Sequence, residues 1–144
     1  MTILIEAAVE SLDAALAAAE GGAHRLELAA DLAHGGTTPD VQIVRACRSK
    51  LAIAIFVLVR PRAGDFACTD TEHHTMLDQI REAEEAGAQG IVTGELADPG
   101  ASPRGQPHED RMTALIDATR PLPVTFHRAF DVSVDLAALL ERLI

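Results

Sequence analysis

Along this chain, short apolar runs bounded by turn residues alternate five times with longer stretches of helical spacing, the signature of repeated βα units around a parallel sheet. The strands read as Ile3 to Glu6, Arg25 to Leu28, Ala52 to Val59, Gly90 to Thr93 and Val124 to His127. The helices read as Ser11 to Glu20, Asp40 to Ser49, Thr71 to Ala86, His108 to Thr119 and Val134 to the end. Cap residues agree with these limits. Ser11 opens the first helix and Gly21-Gly22 closes it, Asp40 after Pro39 opens the second, Gly87 ends the third and Pro121 stops the fourth. The units share no register-level repeat motif, which argues for one α/β sheet over a solenoid.

The longest connections, from Ala29 to Thr38, from Arg60 to Asp70 and from Gly94 to Pro107, all follow strands, so chemistry is expected at the strand C-termini. That holds both for a barrel and for an open doubly wound sheet. The two separate on the nucleotide fingerprint: the first strand is followed by Ala7-Ala8-Val9, with no GxGxxG and no Walker sequence. The expected fold is therefore α/β of the TIM (β/α)8-barrel type, shortened to about five βα units, with 1–144 forming a single N-terminal portion. The sequence ends within the apolar helix Asp135 to Ile144, whereas a full barrel takes eight units and about 250 residues. A fragment with open edges at strands one and five is expected, and such edges invite association. A compact five-unit domain is the alternative.

Composition narrows the function. With 144 residues, 48% of them hydrophobic, and a net charge of −10, the chain belongs with globular proteins that bury one core. No apolar run approaches the roughly 18 residues of a membrane span, and MTILIEAAVE carries no basic leader, so a cytoplasmic protein without a membrane partner is expected. The acidic balance, with four Phe and no Trp or Tyr, excludes nucleic acid as a partner. Cys47 and Cys68 form no CxxC and indicate neither a zinc knuckle nor a disulfide framework; both read as reduced thiols.

The polar residues at the strand ends are the candidate catalytic set: Glu6, Glu27, Arg60, Arg62, Asp65, Thr93, His127, Arg128 and Asp131. In Arg60-Pro61-Arg62-Ala63-Gly64-Asp65-Phe66, two guanidinium groups two residues apart suit a clamp for a carboxylate or phosphate. Each residue alone could equally be a structural ion-pair partner, but several costly groups at one sheet end are kept where a ligand is handled. If His127 faces inward, with Glu27 or Asp131 fixing its tautomer, it is an acid/base candidate near neutral pH; if outward, it is a core histidine. His73 and His74, adjacent on a helix, read as surface residues. The single lysine, Lys50, precedes the third strand at the wrong end for Schiff-base chemistry. Glu6, Glu27 and His127 would suit a divalent cation such as Mg²⁺, Mn²⁺ or Zn²⁺. Copper(I) prefers thiolate and thioether; Cys47 lines up with Ile43 and Val44 as core, which leaves Cys68, alone in a loop, as the candidate ligand.

Arg25-Leu26-Glu27-Leu28, Gly35-Gly36-Thr37-Thr38-Pro39, the Arg60 to Phe66 loop, Gly90-Ile91-Val92-Thr93-Gly94 and Val124-Thr125-Phe126-His127-Arg128-Ala129-Phe130-Asp131 together resemble the CutC family, in its order and spacing. The resemblance implies a cytoplasmic TIM-barrel protein, often a homodimer, linked by name to copper homeostasis and without a settled reaction. It places Glu6, Glu27, Arg60, Arg62, Asp65, His127, Arg128 and Asp131 at the mouth. Two departures matter: the cysteines some members carry after the first strand are replaced here by Ala7-Ala8-Val9, and the last three βα units are absent. Three functions follow as expectations. One is a copper-binding homeostasis protein. Another is an enzyme on a small anionic metabolite, with Arg60, Arg62 and Arg128 as clamp and His127 as acid/base. The last is an inactive fragment that pairs its open edges.

Overall fold

Polar side chains fix where the first three helices begin. The Ser11 hydroxyl accepts the Ala14 N–H at 3.2 Å, and the Asp40 carboxylate accepts that of Gln42 at 2.7 Å. Thr69 and Glu72 exchange bonds in a capping box. Each such cap contributes about 1 kcal/mol. In the computed structural model, which describes residues 3–98 and 105–143, the order is β1 (Glu6–Val9), α1 (Leu12–Glu20), β2 (Arg25–Leu28), α2 (Val41–Lys50), β3 (Ala54–Leu58), α3 (Asp70–Glu85), β4 (Gly90–Thr93), α4 (Glu109–Thr119), β5 (Val124–Phe126) and α5 (Leu136–Leu143). Short 3₁₀ turns occupy Leu32–His34 and Arg128–Val132. Residues 99–104 of the connection after β4, and Ile144 at the expected end of the last helix, lie outside the described residues.

All strands run parallel in the order β1-β2-β3-β4-β5. Right-handed crossovers that always step to the next strand in one direction lay every helix on the same face, whereas a doubly wound sheet reverses direction midway. The arc is that of a TIM-barrel wall, with β1 and β5 as its edges. Alternation along the strands divides the apolar residues between two faces. Leu26, Leu28, Ile55, Val57 and Ile91 pack outward with Val44, Cys47, Met76, Ile80 and Leu115 of the helices. Ala29, Phe56, Leu58 and Val92 face inward as a smaller cluster. A fully buried aliphatic side chain in the outer layer is worth about 1.5–3 kcal/mol, which is what holds each helix on the sheet.

Three strands differ from the expectation, the fifth only in ending at Phe126 and not at His127. Strand one does not end at Glu6 but begins there, pairing Glu6 with Arg25 and Val9 with Leu28. Ala7 and Val9 belong to the helix-side core with Ala14, Ala15 and Ala18, so this strand is built of small residues lying close under an alanine-rich helix. The more hydrophobic Ile3, Leu4 and Ile5 are exposed. The third strand is Ala54–Leu58, shorter than expected, in register with Arg25–Leu28 of β2.

Candidate functional site

At the C-terminal ends of the strands lies a cavity of about 430 Å³, whose wall includes Glu27, Leu58, Val92, His127, Arg128 and Asp131. Glu27 is paired in register with Phe56, and Leu58 and Val92 share Phe56's inward face, which places the Glu27 carboxyl on the inner side of the sheet. Arg60 follows Leu58 by two residues and is buried. Its Nη1 donates to the carbonyls of Gly35 and Gly36 at 3.1 and 2.8 Å, and its Nη2 to that of Gly64 at 2.8 Å. This guanidinium therefore ties the loop after β2 to the loop after β3. Its Nε has no hydrogen-bond partner.

Arg128 converges on the same spot. A Cβ on Gly35 would stand 2.6 Å from Arg128 Nη1 and 3.3 Å from Arg60 Nη1, at a residue whose φ of +91° already favours glycine. Among the described residues, neither arginine is in an ion pair. Burial first, then the charges of Arg128 and Arg62, hold the Arg60 pKa below its ordinary value. Two like charges side by side without a counter-ion are costly, and an anion between them offsets that cost.

His127 does not extend β5. It caps the 3₁₀ turn that follows, its Nδ1 accepting the Ala129 N–H at 3.2 Å. A ring nitrogen that accepts carries no proton, so the proton of the neutral ring sits on Nε2. The expected carboxylate partner is thus replaced by a backbone donor. Burial, followed by the charge of Arg60, pushes the His127 pKa down to about 4, so the ring is neutral at pH 7 and acts as a donor, not as a neutral-pH acid/base. Nε2 is buried without a partner. Phe66 stands against the imidazole, centroids 5.0 Å apart, with the Arg60 guanidinium 4.7 Å from the centre of the same ring. Gly94 allows this packing, because a Cβ there would fall 2.7 Å from Nδ1. Burial and the neighbouring Glu6 raise the Glu27 pKa, partly offset by Arg25.

The structure brings Glu27, Arg60, His127, Arg128 and Asp131 together and sets the remaining candidates elsewhere. Glu6, now at the N-terminal end of β1, is ion-paired with Arg25 on the side of Glu27 away from the mouth, close enough to raise the Glu27 pKa but outside the cavity wall. The expected divalent set of Glu6, Glu27 and His127 is dispersed accordingly, and among the described residues no group of three or more His, Cys, Asp or Glu side chains is placed to hold a metal ion. Arg62 is no clamp partner for Arg60. Its Nε donates to Glu72 at 2.5 Å and its Nη2 to Asp65 at 2.8 Å and to the Ala67 carbonyl at 2.9 Å, so both Arg62 and Asp65 serve the loop and the start of α3. Thr93 donates to the Val59 carbonyl at 3.0 Å and is structural. Cys47 is fully buried in the core, as expected. Cys68 donates to the Met76 sulfur at 3.7 Å, and burial, with Glu95 and Glu72 nearby, pushes its thiol up to about 11.

One polar cluster was not anticipated from the sequence. Glu95, with no exposed surface, sits within hydrogen-bond distance of His73 Nδ1 (2.7 Å) and accepts from Arg111 Nη1 at 2.6 Å, while Arg111 also bonds Asp70 and the Cys68 carbonyl. His73 is buried, not a surface residue. The cluster joins α3, α4 and the connection after β4 behind the mouth. Glu95 stands directly after Thr93-Gly94, just past a strand end, the positional signal that singled out Arg60; its partners, far off in sequence, gave none.

A profile of the CutC family matches residues 3–144. Human and mouse proteins named copper homeostasis protein cutC homolog are each 42% identical over 143 residues, covering 98% of this chain and 50% of theirs. The chain thus spans about half the length of the curated relatives it matches. The crystal structure of a protein assigned as copper homeostasis protein CutC from Streptococcus agalactiae superposes with a TM-score of 0.89 at 31% identity, over 99% of this chain and 68% of that one.

Proposed function

This chain belongs to the CutC family, and from that premise we propose that its strand-end mouth binds a small anionic ligand between Arg60 and Arg128. The supporting observation is the convergence of two guanidinium groups over Gly35, one of them buried, with no carboxylate partner among the described residues. A guanidinium fork matches the oxygens of a carboxylate or phosphate, and the cavity is of metabolite size. Isothermal titration with inorganic phosphate and with citrate tests this. Saturable binding of either anion, weakened roughly tenfold or more by Arg60→Met, is expected. Binding that Arg60→Met leaves unchanged contradicts the proposal.

Copper homeostasis, the role in the relatives' names, supports a second reading in the same cytoplasmic setting, with copper(I) as cargo. Favouring it is the 3.7 Å approach of the Cys68 thiol to the Met76 thioether, two soft donors side by side. A thiol pushed up to about 11 must give up a tightly held proton to bind, so affinity should rise steeply with pH. Copper(I) competition against a chelator decides: binding lost in both Cys68→Ser and Met76→Leu upholds this reading, and binding indifferent to both rejects it.

A further inference from the structure

The anion site leaves two groups on its wall unexplained. The Glu27 carboxyl sits on the inner side of the sheet and, among the described residues, is in no ion pair, unlike Glu6 on the neighbouring strand. His127 carries a buried Nε2 with no hydrogen-bond partner, in the tautomer that makes this nitrogen a donor. An orphaned buried donor is destabilising, and that cost is removed when a ligand oxygen arrives. A carboxyl with a raised pKa, a neutral imidazole donor and a cationic anchor on one cavity form a recognised solution to one problem, removing a proton from carbon beside a carbonyl.

We propose that this mouth catalyses proton transfer at a carbon adjacent to a carbonyl in a small anionic substrate, with Glu27 as base, His127 Nε2–H as donor to the carbonyl oxygen, and Arg60 and Arg128 as anchor. The inference rests on the anion-binding reading above. In the forward step the C–H bond breaks, its proton passes to the Glu27 carboxylate, and its electron pair forms the C=C bond of an enolate whose oxygen charge His127 and the arginines stabilise. Glu27 then returns the proton to the same carbon or, in an α-hydroxycarbonyl, to its neighbour after proton exchange between the two oxygens. The product is the starting compound or its isomer, so no oxidant, reductant or second substrate is consumed. A cationic imidazole would be repelled by Arg60; a neutral one works beside it. The substrate class is thus a phosphorylated hydroxyketone or a 2-oxo acid.

Proton NMR in D₂O provides the test, with the chain incubated separately with dihydroxyacetone phosphate, pyruvate and 2-oxoglutarate, and binding of each followed by saturation transfer. At least one probe that binds should lose its C–H signal adjacent to the carbonyl faster than without protein. Glu27→Gln should slow this exchange roughly 100-fold while binding stays within about threefold. Glu27→Asp, which keeps a carboxylate one methylene shorter, should retain part of the exchange, and so guards against a mere folding defect. Probes that bind but exchange no faster than the background, or exchange that Glu27→Gln leaves intact, overturn the proton-transfer assignment alone. If none of the three binds although phosphate does, the proton-transfer assignment falls alone; if the phosphate titration is blank as well, the anion site falls with it.

Discussion

Replacing His127 by Asn should remove a specific part of the chain's acid sensitivity. The Asn carboxamide oxygen can accept the Ala129 N–H in place of Nδ1, so the cap persists while the titrating ring is gone. In the unfolded chain the imidazole takes its proton near the ordinary value of 6.5; in the folded chain, burial and Arg60 delay this to about 4. Between those values the unfolded chain binds more protons, so the stability contributed by the neutral ring is intact above about pH 6.5 and lost as pH falls toward 4. The full shift corresponds to about 3 kcal/mol, of which about 2 kcal/mol should be lost between pH 7 and pH 4.5. Urea unfolding of the wild-type chain and the variant at both pH values measures it, because carboxylates that titrate in the same window affect both chains and cancel in the comparison. The wild-type chain should lose about 2 kcal/mol more than His127→Asn. Equal losses would mean that His127 is not a buried neutral ring.

Glu95→Ala should destabilise the fold by about 3 kcal/mol in urea unfolding, since it leaves Arg111 and His73 facing a buried gap; a loss below about 1 kcal/mol would show the cluster to be dispensable. Gly94→Ala forces a methyl group toward His127 Nδ1 and should displace the ring, visible as a shift of its NMR signals, with a stability cost of about 1–3 kcal/mol; an unmoved ring contradicts the close packing described. Arg62→Ala should lower thermal stability by releasing the loop from Glu72 and Asp65 while leaving phosphate affinity within about twofold; a tenfold loss of affinity would return Arg62 to the clamp.

The alternation of strands and helices was legible because each unit repeats the same two periodicities, and the caps Ser11 and Asp40 sit where helices must start; the capping box of Thr69 and Glu72, which opens α3 at Asp70, is a finding of the structure. Strand one was misplaced because hydrophobicity favours Ile3-Leu4-Ile5, whereas pairing with Arg25–Leu28 selects the small residues Glu6–Val9. That shift of three residues carries Glu6 from the mouth to the N-terminal end of β1. Arg60 and Arg62 look equivalent in the sequence and both lie past the end of β3, yet Arg60 turns to the carbonyls of Gly35, Gly36 and Gly64 while Glu72 of the capping box claims Arg62. The neutrality of His127 depends on desolvation and on Arg60, 67 positions earlier by residue number, so only the folded chain reveals it. Glu95 and His73 stayed hidden for the same reason: a buried hydrogen bond between residues 22 apart leaves no local pattern.

Whether the mouth takes an anion between Arg60 and Arg128 beside a neutral His127 is decided by side-chain NMR on a uniformly ¹⁵N-labelled chain titrated with inorganic phosphate. The Nε–H signals of Arg60 and Arg128 and the Nε2–H signal of His127 are expected to shift together and saturate at one concentration, with those of Arg62 unmoved. Phosphate that shifts only Arg62, or leaves all these signals in place up to millimolar concentration, would mean that no anion site lies between Arg60 and Arg128.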